Sequence, residues 1–169
     1  MELHSKNIYL IGMMGCGKST VGKLLAKNLG VYFADIDFEI EMKKGETITE
    51  IFSNEGETHF RNLETQALKS TKNSIVACGG GIVLRKENRT FLRSNGIVIL
   101  LIASLDELFR RISDFSTRPL LNKSKDAKET LRHIWDTRKT NYKSIANHTI
   151  LTDGLTPEQV CNIITDKIL

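Results

Sequence analysis

The stretch Gly12-Met13-Met14-Gly15-Cys16-Gly17-Lys18-Ser19 constrains this chain more than any other feature. It meets the pattern G-x-x-x-x-G-K-[ST] at Gly12, Gly17, Lys18 and Ser19. Before it runs Ile8-Tyr9-Leu10-Ile11, a short apolar segment of strand-forming residues. After it Val21, Leu24, Leu25 and Leu29 recur at helical spacing until Gly30. A glycine-rich turn between a strand and a helix is the setting in which the pattern makes a phosphate-binding loop. The glycines let successive N–H groups point into one concavity, and the helix start adds its positive dipole end. ATP or GTP is therefore expected on Gly15, Cys16, Gly17, Lys18, Ser19 and Thr20. Lys18 would reach the β- and γ-phosphates, and the Ser19 hydroxyl would ligate Mg²⁺. Cys16 occupies a variable position of the pattern and reads as a small residue there.

Downstream, Val31-Tyr32-Phe33-Ala34 predicts a second strand that ends at Asp35 and Asp37. Residues 38–68 read as mostly helical, broken near Gly45 and Gly56. Ser74 to Cys78 predicts a third strand running into Gly79-Gly80-Gly81. Ile97 to Ile102 predicts a fourth with no polar alternation, hence buried on both faces. Ser104-Leu105-Asp106-Glu107 opens a helix with a capping-box pattern. Ser113 to Ala127 is polar, basic and aperiodic, and is expected to be a mobile loop. Leu131 to Ile145 predicts a helix, Thr149-Ile150-Leu151 a fifth strand, and Thr156-Pro157-Glu158-Gln159 the start of a final helix with proline in its first turn. Strands alternating with helices, without hairpin turns, indicate parallel βαβ units. The expected fold is a single three-layer α/β/α domain over residues 1–169, around a parallel sheet of about five strands.

Composition narrows the partners. The 169 residues are 40% apolar and 26% charged, a balance that favours one compact core over disorder. The net charge of +4 is too small to point to nucleic acid, though a modest positive excess suits polyanionic small ligands. Cys16, Cys78 and Cys161 match no metal spacing, and an odd, unpaired set fits a reducing compartment. His4, His133 and His148 share no ligand spacing, and Trp135 reads as core. The longest apolar run, Ile97 to Ala103, is too short to span a bilayer. A cytoplasmic monomer without membrane or nucleic-acid partners is expected.

A phosphate loop serves switch GTPases, motor ATPases and small-molecule kinases. The GTPase class needs Asn-Lys-x-Asp, and Asn122-Lys123-Ser124-Lys125 lacks the aspartate. Motor ATPases normally carry an apolar strand ending in Asp-Glu, and none is present. A metabolite or nucleotide kinase remains. Asp35-Ile36-Asp37 follows the second strand, at the sheet edge where α/β proteins place ligands. Two carboxylates beside a MgATP site can hold the metal's water shell and accept a hydrogen bond from the attacking hydroxyl. Taken alone, the pair also suits a solvated helix N-terminus, and helical spacing alone would pair Arg61 with Glu57 or Glu64.

Seven landmarks in order then resemble the shikimate kinase family. They are the phosphate loop, Asp35-x-Asp37-x-Glu39-Ile40-Glu41, Gly45 with Ile48-x-Glu50-Ile51-Phe52, and Gly56-Glu57-x-x-Phe60-Arg61-x-x-Glu64. After these come Gly79-Gly80-Gly81, Arg118-Pro119-Leu120-Leu121 and Arg138-x-x-x-Tyr142. The resemblance implies a P-loop kinase fold and transfer of the γ-phosphoryl of ATP to the 3-hydroxyl of shikimate. It implies that Asp37 binds the shikimate hydroxyls and orients or deprotonates the nucleophile, with Asp35 beside Mg²⁺ through water. Arg61 and Arg138 would grip the shikimate carboxylate, for which a planar guanidinium suits better than an ammonium. Backbone N–H groups of Gly79, Gly80 and Gly81 would contact the substrate. Arg118 would be the arginine of a lid spanning 113–127, closing over ATP, and Arg111 the stacking partner of adenine, with Arg110 its competitor.

Overall fold

A computed structural model describes residues 6–112 and 126–169. Residues 113–125 of the expected lid, with Arg118, lie outside the described residues, as does His4, whereas its last two, Asp126 and Ala127, are the cap and first residue of a helix rather than a loop. Five strands form one all-parallel sheet: β1 (Asn7–Ile11), β2 (Tyr32–Asp35), β3 (Ser74–Ala77), β4 (Gly96–Ile102) and β5 (His148–Leu151). Their order is β2-β3-β1-β4-β5. β1 is central and buried along its whole length, with Tyr9, Leu10 and Ile11 closed to solvent. β4 is buried on both faces from Val98 to Leu101, as its unbroken apolar run predicts.

Helix α1 (Lys18–Leu29) follows the phosphate loop and packs against α8 (Pro157–Lys167) on one face of the sheet. The opposite layer includes α4 (Gly56–Ser70), α5 (Lys86–Asn95) and α7 (Ala127–Ile145). Between β2 and α4 lie α2 (Ile36–Lys44) and α3 (Ile48–Asn54), and α6 (Leu105–Arg111) follows β4. The breaks at Gly45 and Gly56 both fall at left-handed backbone, with φ of 70° and 83°.

Three elements differ from the sequence pattern. α5 has no apolar periodicity, because Leu92 and Asn88 are its buried residues, and the Asn88 amide donates to the Ile82 carbonyl at 3.2 Å. It follows a 3₁₀ turn at Ile82–Leu84, directly after the triple glycine. α7 begins at Ala127, earlier than Leu131, since Asp126 caps it by accepting from the Lys128 and Glu129 N–H groups at 3.0 and 3.1 Å. The capping box expected at Ser104 is half formed. Ser104 Oγ accepts from Glu107 N at 3.3 Å, but the Ser104 N–H goes to Asp153 Oδ1 at 2.9 Å. Glu107 is drawn instead to Arg110 and Arg111.

Parallel register brings three chain segments to one edge. Ala77 pairs with Leu10 on one side and Asp35 on the other. The phosphate loop, the Asp35-Ile36-Asp37 turn and the triple glycine therefore leave adjacent strands side by side.

Candidate active site

The phosphate loop closes tightly on β4. A Cβ at Gly12 would overlap the Leu101 carbonyl, and φ there is 139°, so only glycine fits. Lys18 Nζ donates to the carbonyls of Gly12 and Met13 at 2.9 and 2.8 Å, bridging the loop from below. The Cys16 thiol is buried, with its sulfur 3.7 Å from Lys18 Nζ. Ser19 Oγ donates to Asp35 Oδ2 at 2.5 Å, joining the start of α1 to the end of β2. Asp35 Oδ1 also accepts from Phe38 N at 3.4 Å, which caps α2 and leaves Asp37 in that helix's first turn.

Around the loop lies a cavity of about 700 Å³. Residues Gly15 to Thr20 form its floor, Arg110 and Arg111 one wall, and the Thr152 to Pro157 segment another. Arg111 is the better held arginine. Its Nε donates to Glu107 at 2.6 Å, and its terminal nitrogens reach the Thr152 hydroxyl and carbonyl, both at 2.9 Å. Arg110 is largely exposed and shares Glu107 with Arg111. The two arginines pull the Glu107 carboxyl down to about 2. The Thr152 to Pro157 wall escaped the sequence reading, because its one signal, the capping box at Thr156, speaks of a helix start rather than a ligand.

A second cavity, also about 700 Å³, opens beyond Asp37. Arg61 projects into it from α4 with its side chain 9% exposed, so a surface position is ruled out. Its guanidinium donates to Glu64 Oε2 at 2.9 Å and to Glu57 Oε1 at 3.1 and 3.2 Å. The guanidinium also lies over the Phe60 ring, 5.1 Å from its centroid. Burial works against this charge, and Glu64 and Glu57 more than offset it, so Arg61 stays protonated.

Glu64 is fully buried, and its Oε1 has no hydrogen-bond partner among the described residues. A Cβ at Gly79 would stand 2.6 Å from that oxygen and 2.8 Å from Asp37 Oδ1. Burial pushes the Glu64 carboxyl up to about 7; Arg61 pulls it back, and the Asp37 charge adds to the rise.

The triple glycine passes between two arginines. A Cβ at Gly81 would overlap the Arg61 guanidinium, and one at Gly80 would come within 3.4 Å of an Arg138 nitrogen. Arg138, on α7, is 6% exposed and lines the second cavity. One helical turn on, the buried Tyr142 hydroxyl donates to the Gly80 carbonyl. Trp135 stacks on Tyr142 with ring centroids 6.1 Å apart, a core position as its sequence context suggests. Cys78 is buried before Gly79, and that burial holds its thiol protonated.

Of the residues singled out from sequence, the structure brings together the phosphate loop, Asp35, Asp37, Arg61, the triple glycine, Arg111 and Arg138. The two cavities share Met14, Ser19, Asp35, Asp37, Gly79 and Gly80 as a common wall. Glu64 and Tyr142 join the site without having been assigned a role. Their signal lay in spacing, since each is one helical turn from a site arginine, at i+3 from Arg61 and i+4 from Arg138.

The family model described as shikimate kinase matches residues 14–169. A shikimate kinase of Persephonella marina is 42% identical over 166 residues, covering 96% of this chain and 99% of the relative. One from Thermodesulfovibrio yellowstonii is 43% identical over 162 residues, covering 94% and 92%. The solved shikimate kinase of Acinetobacter baumannii in complex with shikimate superposes with a TM-score of 0.90 at 38% identity, covering 97% of this chain and 96% of that one. A gluconokinase of Sinorhizobium meliloti, at 15% identity and a TM-score of 0.58, shares the fold alone. By both measures, the chain belongs to the shikimate kinase family.

Proposed function

We propose that the cavity over the phosphate loop holds ATP, that the second holds shikimate, and that the γ-phosphoryl group crosses their common wall to the 3-hydroxyl. The observation that carries this reading is the sharing of Ser19, Asp35, Asp37, Gly79 and Gly80 by two cavities of equal size. A donor and an acceptor bound side by side meet there, which is the positioning that phosphoryl transfer chiefly needs.

Each residue then has a task its surroundings support. The loop N–H groups and Lys18 hold the phosphates. Arg111, braced by Glu107 and Thr152, offers a flat guanidinium to the adenine. Asp37 accepts a hydrogen bond from the attacking hydroxyl and takes its proton as the new O–P bond forms and the bond from the γ-phosphorus to the bridging oxygen breaks, releasing ADP. Arg61 and Arg138, on opposite sides of the triple glycine, receive the carboxylate. The described residues contain no group of three His, Cys, Asp or Glu side chains able to hold a metal. A Mg²⁺ would rest instead on the Ser19 hydroxyl, on Asp35 through water and on the nucleotide's own oxygens, a donor set suited to an ion that keeps its water. When bound, it would neutralise charge on the β- and γ-oxygens. Arg118 would close over the phosphates on a lid spanning 113–125, as one part of a single domain.

Three buried, unpaired cysteines fit a reducing cytoplasm. Among the described residues no helix is long and apolar enough to cross a membrane. The test is coupled ADP release with MgATP and shikimate, gluconate or a nucleoside monophosphate as acceptor. Rapid turnover with shikimate is expected. Silence with shikimate beside rapid turnover of another acceptor would overturn the reading.

A further inference from the structure

Tyr142 is a fully buried phenol on a helix that otherwise reaches the site through Arg138. Its hydroxyl donates to the Gly80 carbonyl, across 62 residues of sequence, and a Cβ on Gly80 would meet both that hydroxyl, at 3.7 Å, and the Arg138 guanidinium, at 3.4 Å. A phenol that donates to the carbonyl keeps lone pairs that favour a neighbouring guanidinium. The ring cannot swing away, because Trp135 stacks on it from the same helix.

Peptide geometry extends the effect. The Gly80 carbonyl and the Gly81 N–H belong to one planar trans unit and point in opposite directions. Fixing the carbonyl toward Tyr142 therefore aims the Gly81 N–H away from the phenol, and the Cβ position of Gly81 is already filled by the Arg61 guanidinium. Glycines have no side chain to lock this peptide by packing, and without an anchor it would sample many orientations. Nothing in phosphoryl transfer uses the phenol directly.

We propose that Tyr142 is a positioning residue for the carboxylate end of the acceptor. It holds the Gly80–Gly81 peptide and the Arg138 guanidinium in register, so that Arg138, the Gly81 N–H and Arg61 converge on one anion. The proposal rests on the reading of the second cavity as the acceptor site. It predicts that Tyr142 governs how strongly the enzyme prefers a carboxylate to a neutral group at that end, while ATP binding is indifferent to it.

The test compares Tyr142→Phe with wild type, using shikimate and its carboxamide as acceptors and varying ATP separately. Loss of the hydroxyl leaves the buried Gly80 carbonyl short of a partner, so the KM for shikimate should rise about tenfold. The KM for ATP and kcat should stay near wild type. The preference for shikimate over its carboxamide should shrink by the same factor, which a merely structural role would not cause. Trp135→Phe, which loosens the ring but keeps the hydroxyl, should move that preference the same way by less. This second variant also reads the proposal if Tyr142→Phe does not fold. An unchanged preference in a folded variant, or equal rises in both KM values, overturns the proposal alone. A wild type silent toward shikimate overturns the acceptor reading, and this proposal with it.

Discussion

Glu64 shapes the second cavity from behind, by holding Arg61 while its second oxygen faces Gly79 and the Asp37 carboxylate. Its carboxyl is raised to about 7 by burial. The folded chain therefore binds this proton more tightly than the unfolded chain, whose carboxyl titrates at the ordinary value near 4.5. The resulting stability is fully present below the unfolded value and is lost as pH rises through the folded one, by up to about 3 kcal/mol. Glu64→Gln keeps the shape and lacks the titration. The stability of wild type relative to Glu64→Gln should therefore fall between about pH 5 and about pH 8. Denaturant midpoints of both proteins across that range would check it, and a flat difference removes Glu64 as the titrating group. For Asp37→Asn the expected outcome is a kcat lower by about 10²- to 10⁴-fold with ATP affinity near wild type. Nucleotide titration beside steady-state rates reads both quantities. Arg61→Ala should weaken shikimate binding and spare ATP, as separate KM values would reveal. At this scale the phosphate loop was fully legible, because its residues are contiguous and its chemistry is local. The Arg61–Glu64 pair was legible from helical spacing, but the approach of Glu64 to Gly79 and Asp37, and of Tyr142 to Gly80, was not, because those partners meet only through folding.

Two complete capping boxes each border one cavity. Thr47 with Glu50 starts α3 at the rim of the second cavity, and Thr156 with Gln159 starts α8 at the rim of the cavity over the phosphate loop. Replacing either threonine by alanine should cost about 1 kcal/mol of stability. The kinetic effects should be crossed. Thr47→Ala should raise the KM for shikimate, and Thr156→Ala the KM for ATP, with the other substrate little affected. Steady-state kinetics with each substrate varied in turn would show whether the caps act locally. Helices with a cap, a proline or an apolar stripe were legible as elements. α5 was not, since a helix burying Asn88 and Leu92 gives no periodic signal. Ser104 misled in a smaller way, because Glu107 found two arginines closer to hand than the backbone it was expected to cap.

Over the whole molecule, alternation of strand and helix was enough to read a parallel sheet, since hairpins would have required turn residues that are absent. Strand order was beyond it. Placing β1 between β3 and β4 depends on which crossovers pass over which neighbours, and no short stretch of sequence encodes that. The order matters because it puts the loop after β1 beside the turn after β2 and the glycines after β3, and so creates the wall common to both cavities. A wall that thin has a pharmacological consequence. A single molecule joining an adenosine to a cyclohexene carboxylate through a short anionic bridge could occupy both halves at once. Its second half would bind at an effective concentration in the millimolar range, tightening it by about 10²- to 10⁴-fold over either half alone. Selectivity for this enzyme would then follow from the tether rather than from either end.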